Sequence, residues 1–264
     1  MPVKTIYLMR HAEREDRAIE KEGKDWISTA PRPHDPRLSI IGLQQAANVG
    51  LRLKEKGITK ILASPLVRAI QTAQTVAVGL QLGPNSVCVE EGLVEQAKSF
   101  RGKTADEPRP NWNPLLLPPS ELCQYSDKID LSYRTLVNVT HRKDESAPNT
   151  VMEVHPTMLT FNERDLITAE RCNRFMQLLE TDSSFDNLTI LCVGHGASLK
   201  YCTRYLEAGL EAELCIQGDQ NVSCFAGFTR NDAGKWQSMT THWSYGKASE
   251  GVVAAENMDD RGDV

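Results

Sequence analysis

The sequence predicts an α/β fold in which a mostly parallel central sheet lies between two layers of helices, a three-layer α/β/α arrangement. Short strand-like runs alternate along the chain with longer segments that carry apolar residues at helical spacing. The runs 3–9 and 188–193 are β-branched and apolar, which is typical of strands buried within a sheet. Shorter runs at 60–63 and 87–90 are predicted as two further strands. The length of 264 residues suits one large α/β domain, or a smaller one with an insertion.

Start and stop signals delimit the predicted helices. Ser39 is a suitable N-cap for a helix over residues 40–56, and Gly57 ends that helix. Ser64 as N-cap, with Pro65 at the first helical position, predicts the start of a second helix. Further helices are predicted over residues 162–180 and 197–206, and a β-hairpin is predicted to join residues 221–228 to 235–240.

Residues 96–160 interrupt the alternation of strands and helices. This segment contains many prolines and shows no sustained periodicity, so we expect an irregular insertion that caps the functional site. The domain is then expected to extend over residues 1–246. The polar, acidic segment 247–264 is expected to form a disordered tail.

The composition of the chain indicates which kinds of binding partner and which cellular compartment to expect. A net charge of −5 disfavours nucleic acid as a partner, and the apolar runs are too short to cross a membrane. The N-terminus lacks the charged-then-apolar pattern of a signal peptide. Seven cysteines, an odd number without a Cys-x-x-Cys pair, indicate reduced thiols and a cytoplasmic protein.

Three groups of polar residues stand where a predicted strand ends or a predicted helix begins. They are residues 10–14 (Arg-His-Ala-Glu-Arg), residues 64–68 (Ser-Pro-Leu-Val-Arg) and residues 194–196 (Gly-His-Gly). Ligands of open α/β sheets bind beyond the carboxyl ends of the strands, and helix N-termini at that edge attract anions. We therefore expect two histidines and three arginines to surround one anionic ligand.

This set of side chains favours phosphoryl chemistry. Guanidinium groups match the oxygens of a phosphate dianion, and an imidazole among them can attack phosphorus as a covalent nucleophile. A carboxylic acid is then needed to protonate the leaving oxygen. Glu95 is the best-placed candidate after the third strand, and Glu90 and Glu91 are its rivals.

Four motifs, in this order, resemble the histidine phosphatase (phosphoglycerate mutase-like) superfamily: residues 10–13, 38–46, 64–73 and 194–196. Arg14, together with residues 92–95, 118–122 and 129–134, is similar to the phosphatase domain of the suppressor of T-cell receptor signalling (TULA) proteins. Insect ecdysteroid-phosphate phosphatases belong to the same group.

The resemblance implies a fold, an activity and a set of roles. His11 becomes the phosphohistidine, and Glu95 acts first as the acid and then as the base for water. The catalytic set is thus His11, Glu95 and His195, and the phosphate is bound by Arg10, Arg14, Arg68 and His195. The resemblance further implies a metal-independent phosphomonoester hydrolase that needs no cofactor, acts on a phosphorylated small molecule or phosphoprotein, and forms a homodimer. Glu13 is expected to orient the loop after the first strand without contacting the ligand itself.

Two residues depart from the family pattern. Ala12 stands where the family usually has glycine, which would permit unusual backbone angles or a closer approach. We expect activity to survive this change. Gln96 replaces an aromatic residue that follows the acid in the TULA proteins, so acceptance of phosphotyrosine is an open question.

Residues 224–230 fit the Cys-x5-Arg phosphate loop of cysteine-based phosphatases. That loop requires a helix directly after its arginine, whereas Arg230 is followed by turn-forming residues and a strand-like run. We therefore interpret Cys224 as a core thiol.

Two other functions compete with hydrolysis. Mutases of the superfamily usually carry a Trp-Asn pair shortly after the first motif, whereas residues 14–16 here are Arg-Glu-Asp, which favours hydrolysis. The other alternative is a catalytically weak protein that binds a phosphorylated partner as a scaffold. Intact His11, Arg68 and His195 argue against it.

Overall fold

The computed structural model describes residues 2–96, 116–139, 165–211, 215–216, 221–240 and 242–244. Within these ranges one sheet has the strand order β3-β2-β4-β1-β5-β6. Its strands are β1 (Thr5–Arg10), β2 (Lys60–Ala63), β3 (Val87–Val89), β4 (Thr189–Gly194), β5 (Phe225–Arg230) and β6 (Trp236–Ser238). The first four strands pair in parallel, whereas β5 and β6 are antiparallel to their neighbours. The predicted mostly parallel sheet is confirmed.

Helices cover both faces of the sheet. The described helices are α1 (Glu15–Lys21), α2 (Trp26–Thr29), α3 (Ile40–Leu53), α4 (Val67–Gly79), α5 (Pro119–Leu122), α6 (Asp165–Thr181) and α7 (Gly196–Leu206). Alternate residues of β1 point to opposite faces, as the pleat of a strand requires. Tyr7 and Met9 belong to the apolar cluster under α3 and α4, and Leu8 belongs to the cluster under α6 and α7. The three layers are therefore those predicted. Among the described residues, no helix combines the length and apolar character needed to span a membrane.

The N-cap of α3 acts as predicted, whereas the predicted end at residue 56 is three residues too late, because α3 ends at Leu53 and Gly57 ends the 3-10 turn Lys54–Lys56 that follows. The Ser39 hydroxyl accepts a hydrogen bond from the Gly42 N–H at 2.9 Å, and Gly57 has the left-handed φ of 69°. Packing requires glycine at position 42, because a Cβ atom there would lie 2.2 Å from the carbonyl oxygen of Glu13. Helix α3 thereby packs directly on the backbone of the loop after β1.

The predicted start of α4 is wrong by two residues. The helix begins at Val67, and its N-cap is Leu66, whose backbone is extended with φ −73° and ψ 137°. Ser64 therefore cannot act as the N-cap. The Val67 N–H instead donates to Oδ1 of Asp35 at 2.8 Å, so a carboxylate from another segment takes the place of the local cap.

The described part of the insertion packs along the edge of the sheet. The Val87 N–H donates to the carbonyl oxygen of Lys128, and the Asp130 N–H donates to the carbonyl oxygen of Val87. Ile129 thus forms an isolated bridge to the edge strand β3, and residues 116–139 contain one short helix, α5. The rest of the predicted insertion, the predicted helix start at Asn162 and the predicted tail 247–264 lie outside the described residues.

The predicted hairpin is present as β5 and β6, which pair antiparallel. Cys224 is fully buried directly before β5, and Arg230 leads into a turn rather than a helix. Burial raises the pKa of the Cys224 thiol to about 12. The interpretation of Cys224 as a core thiol is confirmed, because its side chain is fully buried and a turn rather than a helix follows Arg230.

Candidate active site

The three predicted groups of polar residues meet at one edge of the sheet. Strand β4 lies between β1 and β2, with Arg10 paired to Gly194 and Ala63 paired to Val193. The residues that follow these strands therefore emerge side by side, at the carboxyl ends where ligands of such sheets bind.

His11 is held as a neutral imidazole with one defined nitrogen available. Its backbone N–H donates to the carbonyl oxygen of Gly194 at 2.9 Å, and its Nδ1 lies 2.8 Å from the carbonyl oxygen of Ala12. A carbonyl oxygen only accepts, so Nδ1 carries the proton and Nε2 keeps its lone pair. Burial first, and then the charges of Arg68 and Arg10, lower the pKa of His11 well below 6.5.

His195 lies at the start of α7, fully buried, with its ring centroid 5.1 Å from that of His11. Its Nε2 is 2.8 Å from the hydroxyl oxygen of Ser64, and its Nδ1 is 3.8 Å from Oε2 of Glu95. Burial is the largest cause that lowers the pKa of His195 well below 6.5, followed by the charge of Arg68. Both histidines are therefore neutral at neutral pH.

Arg68, in the first turn of α4, is buried with its side chain 3% exposed. Its Nη1 lies 3.9 Å from Oδ1 of Asp35, whose side chain has no exposed surface. Burial, and then repulsion by Arg14, lower the pKa of Arg68 to about 10, while Asp35 acts in the opposite direction. The guanidinium remains charged at neutral pH, and a buried carboxylate partly offsets that charge.

The other two arginines complete a cationic cluster around the histidines. Arg14 donates to both carboxylate oxygens of Asp16 through Nε and Nη2. The guanidinium carbon of Arg10 lies against the start of α7, 3.7 Å from where a Cβ of Gly196 would be. The charges of Arg10, Arg14 and Arg68 lower the pKa values of both imidazoles. The site is thus suited to a dianion with several oxygens.

Glu95 follows a short 3-10 turn after β3 and is buried. Its Oε1 accepts a hydrogen bond from the Gln96 N–H at 2.8 Å, which leaves Oε2 toward His195. Arg171, a buried residue of α6, donates to the backbone carbonyl oxygens of Gly92 and Val94 just before Glu95. Helix α6 therefore holds the backbone of the loop that carries Glu95.

The rival carboxylates have other partners. Glu90 is fully buried and accepts hydrogen bonds from the hydroxyls of Tyr133 and Thr135. Glu91 accepts from the backbone N–H of Val139 through Oε2. Both carboxylates fasten the described part of the insertion to the loop after β3, whereas Glu95 lies near His195.

Known proteins of one family resemble this chain. Residues 6–117 match the family model of the histidine phosphatase superfamily (branch 1). The chain is related to the histidine phosphatases. It is 26% identical over 269 residues to the human ubiquitin-associated and SH3 domain-containing protein A, a TULA protein, covering 89% of this chain and 36% of that protein. It is 28% identical over 168 residues to the ecdysteroid-phosphate phosphatase of Bombyx mori, covering 62% of this chain and 21% of that protein.

Solved structures of histidine phosphatases share the fold. The structure of the ecdysone phosphate phosphatase from Bombix mori in complex with tungstate aligns with a TM-score of 0.60 at 20% identity. That alignment covers 90% of this chain and 92% of the other. The chain spans 36% of the length of the human relative, so the activities and partners of the whole relatives do not transfer with the match.

The structure shows the surroundings of the two residues that depart from the histidine phosphatase pattern, Ala12 and Gln96. Ala12 does not adopt a positive φ, its methyl group is fully buried in an apolar cluster, and its N–H donates to the Thr72 hydroxyl at 3.1 Å. The backbone at this position therefore does not require glycine. Gln96 is buried beside Glu95. Glu13 accepts hydrogen bonds from Ser39 and Lys21, consistent with orientation of the loop.

Sequence reasoning missed several residues of this candidate site. Asp16, Asp35 and Arg171 position other side chains or loops, and the contact between Ser64 and His195 was not anticipated. Asp16 is adjacent to a quoted motif, and its spacing of two from Arg14 was a usable signal. Asp35 and Arg171 act across long sequence separations, so no local pattern marks them.

Proposed function

We propose that this chain is a phosphomonoester hydrolase that acts through a phosphohistidine on His11. One observation carries the proposal: a neutral imidazole, with its lone pair on Nε2, lies buried among three arginines. A neutral imidazole is nucleophilic, and fixed cations stabilise the charge that develops on the transferred phosphoryl oxygens. The family relationship supports the same chemistry.

In the first half-reaction, Nε2 of His11 attacks phosphorus and the bond from phosphorus to the ester oxygen breaks. The leaving oxygen takes a proton from Glu95, which enters this step in its acid form. Arg10, Arg14 and Arg68 bind the phosphoryl oxygens, and His195 donates a hydrogen bond to one of them. The histidine-bound phosphoryl group and the free alcohol or phenol result.

In the second half-reaction, the Glu95 carboxylate takes a proton from a water molecule whose oxygen attacks phosphorus. The bond from phosphorus to nitrogen breaks, inorganic phosphate leaves, and His11 returns to its neutral form. Glu95 is again an acid, so the cycle balances in protons.

The arginines and helix α7 supply the positive charge that a metal ion would otherwise provide, so we propose a metal-independent reaction. The substrate is a phosphorylated small molecule or a phosphoprotein, and phosphotyrosine and phosphorylated metabolites are the first to test. Homodimer formation and a cytoplasmic location stay predictions.

The test is hydrolysis of p-nitrophenyl phosphate in EDTA by the parent protein, His11→Ala and Cys224→Ser. We expect activity in the parent and Cys224→Ser and only background in His11→Ala. With ³²P-labelled p-nitrophenyl phosphate, a protein-bound label that is stable to base and labile to acid should appear in the parent and in Cys224→Ser, and not in His11→Ala. An inactive parent, or activity lost only in Cys224→Ser, would contradict the proposal.

A further inference from the structure

The imidazole of His195 lies between two side-chain oxygens. On one side Nε2 is 2.8 Å from the hydroxyl oxygen of Ser64, and on the other Nδ1 is 3.8 Å from Oε2 of Glu95. His195 and Ser64 are both fully buried. Both side chains are withdrawn from bulk solvent, so these two oxygens bear directly on which nitrogen carries the single proton of the neutral imidazole.

The buried hydroxyl of Ser64 needs an acceptor for its own proton. The Leu66 N–H, itself a donor, lies 3.4 Å from the Ser64 oxygen and takes one of its two lone pairs. Among the described residues, the other contact of this oxygen is with Nε2 of His195. Nε2 is therefore the acceptor available to the Ser64 O–H, and it must then present its lone pair.

The other nitrogen supports the same assignment. Nδ1 of His195 is buried without a hydrogen-bond partner among the described residues, on the side that faces Glu95. A lone pair on Nδ1 would face the oxygens of a bound dianion, which is repulsive. A proton on Nδ1 makes this contact attractive, and it also suits the Glu95 carboxylate that is present before the second half-reaction.

We propose that Ser64 is a positioning residue that fixes His195 in the tautomer with its proton on Nδ1. Its functional consequence rests on the proposed phosphatase reaction: the Nδ1–H then donates to a phosphoryl oxygen beside Glu95. In the opposite tautomer the same ring would donate to Ser64 and offer no donor to the substrate. The serine of the residue 64–68 motif thus acts on a histidine 131 positions away rather than as a helix cap.

The structure supplies a matched control. Ser198 is also fully buried and also contacts His195, but its hydroxyl oxygen accepts from the backbone N–H of His195 at 3.1 Å. Ser64→Ala removes a contact with the ring, whereas Ser198→Ala removes a contact with the backbone of the same residue. A general loss of packing would affect both variants alike.

The first readout is the ¹⁵N NMR spectrum of histidine-labelled protein at neutral pH, with the His195 ring assigned by its absence in His195→Asn. We expect the Nδ1–H tautomer in the parent and in Ser198→Ala, and a mixture or the Nε2–H tautomer in Ser64→Ala. An Nε2–H tautomer in the parent, or a parent spectrum unchanged in Ser64→Ala, would overturn the assignment.

The second readout is kinetic. We expect kcat/KM for p-nitrophenyl phosphate to fall about tenfold or more in Ser64→Ala, since one donor to the transition state is lost in part of the molecules. Unchanged kinetics in Ser64→Ala would overturn the functional consequence. The NMR result does not depend on turnover, so an inactive parent would contradict the proposed reaction without deciding the tautomer.

Discussion

The guanidinium of Arg171 donates from Nη1 to the carbonyl oxygen of Val94 at 2.9 Å, one residue before Glu95. The same nitrogen donates to the carbonyl oxygen of Gly92 at 2.7 Å. A buried cation of α6 thus holds the backbone from which the proposed acid projects.

Arg171→Met should loosen this loop. We expect the free energy of unfolding to fall by about 1–3 kcal/mol, because two buried carbonyl oxygens lose their donor. Hydrolysis of an alkyl phosphate should fall more than hydrolysis of p-nitrophenyl phosphate, since a displaced Glu95 protonates the poor leaving group less well. Urea unfolding and the two kcat/KM values measure these effects. The exposed Arg204 of α7 provides the control, and equal losses in Arg204→Met would contradict the assignment.

Glu95→Gln tests the acid itself. We expect kcat/KM to fall by about 10²-fold or more for an alkyl phosphate and by much less for p-nitrophenyl phosphate, whose leaving group needs no proton. Glu90→Gln is the matched control, because Glu90 is a buried carboxylate bound to Tyr133 and Thr135. It should lower stability and affect both substrates to a similar degree. Full activity of Glu95→Gln on alkyl phosphates would remove Glu95 from the acid role.

The free energy of unfolding should fall as the pH is lowered, because the fold keeps two histidines neutral. The fold lowers the pKa values of His11 and His195 well below 6.5, so below that pH the unfolded chain binds protons that the folded protein does not. Each histidine makes its full contribution to the free energy of unfolding above about pH 6.5. Below that pH, the free energy of unfolding falls by up to about 1.4 kcal/mol per pH unit for each histidine, until the pH reaches the pKa of that histidine in the folded protein.

Urea unfolding between pH 7.5 and about pH 5 measures this dependence. We expect a shallower decline in His11→Asn than in the parent, and an unchanged decline in His242→Asn, which replaces an exposed histidine. Identical declines in all three proteins would show that His11 is protonated in the fold.

Gly42→Ala tests the close contact between α3 and the loop after β1. The added Cβ would lie 2.2 Å from the Glu13 carbonyl oxygen, so helix and loop must separate. We expect a loss of about 3 kcal/mol in unfolding free energy and a large fall in p-nitrophenyl phosphate hydrolysis. Gly83→Ala, where no atom lies within 4 Å, should change stability by less than about 1 kcal/mol. Equal effects would refute the packing argument.

Ala12→Gly restores the residue that the family usually has at this position. The methyl group of Ala12 is buried and its backbone has an ordinary φ, so glycine brings no conformational benefit here. We expect unfolding free energy to fall by about 1–2 kcal/mol, from the lost methyl contact and the added freedom of the unfolded chain. Thermal and urea unfolding measure the change. A more stable or much more active Ala12→Gly protein would show that alanine strains the loop.

Local signals predicted the framework of the fold well. Ser39 acts within three residues of its own position, so the start of α3 follows from sequence, whereas Gly57 marks the end of the 3-10 turn after α3 rather than the end of the helix. Ser64 shows where such signals fail: its hydroxyl contacts His195, and Asp35 bonds the first N–H of α4 in its place. Both contacts join distant segments, and a helix start next to a buried site is decided by those contacts rather than by local preference.

The motifs predicted which residues meet, because the carboxyl ends of parallel strands share one edge of the sheet. They could not separate the three carboxylates after β3. Glu90, Glu91 and Glu95 differ in the residues of the insertion and of α6 that pack around them. Those residues lie 40 to 80 positions further along the chain.

The strand order has a consequence for the time at which the protein becomes active during synthesis. Strands β1 and β2 leave the ribosome early, yet they touch each other only through β4, which separates them in the sheet. A growing chain therefore cannot complete this edge of the sheet until residues 189–194 have been made and inserted between strands that were completed long before. Every nascent fragment shorter than this carries the nucleophile without His195 and without the strand that aligns the two sides of the pocket.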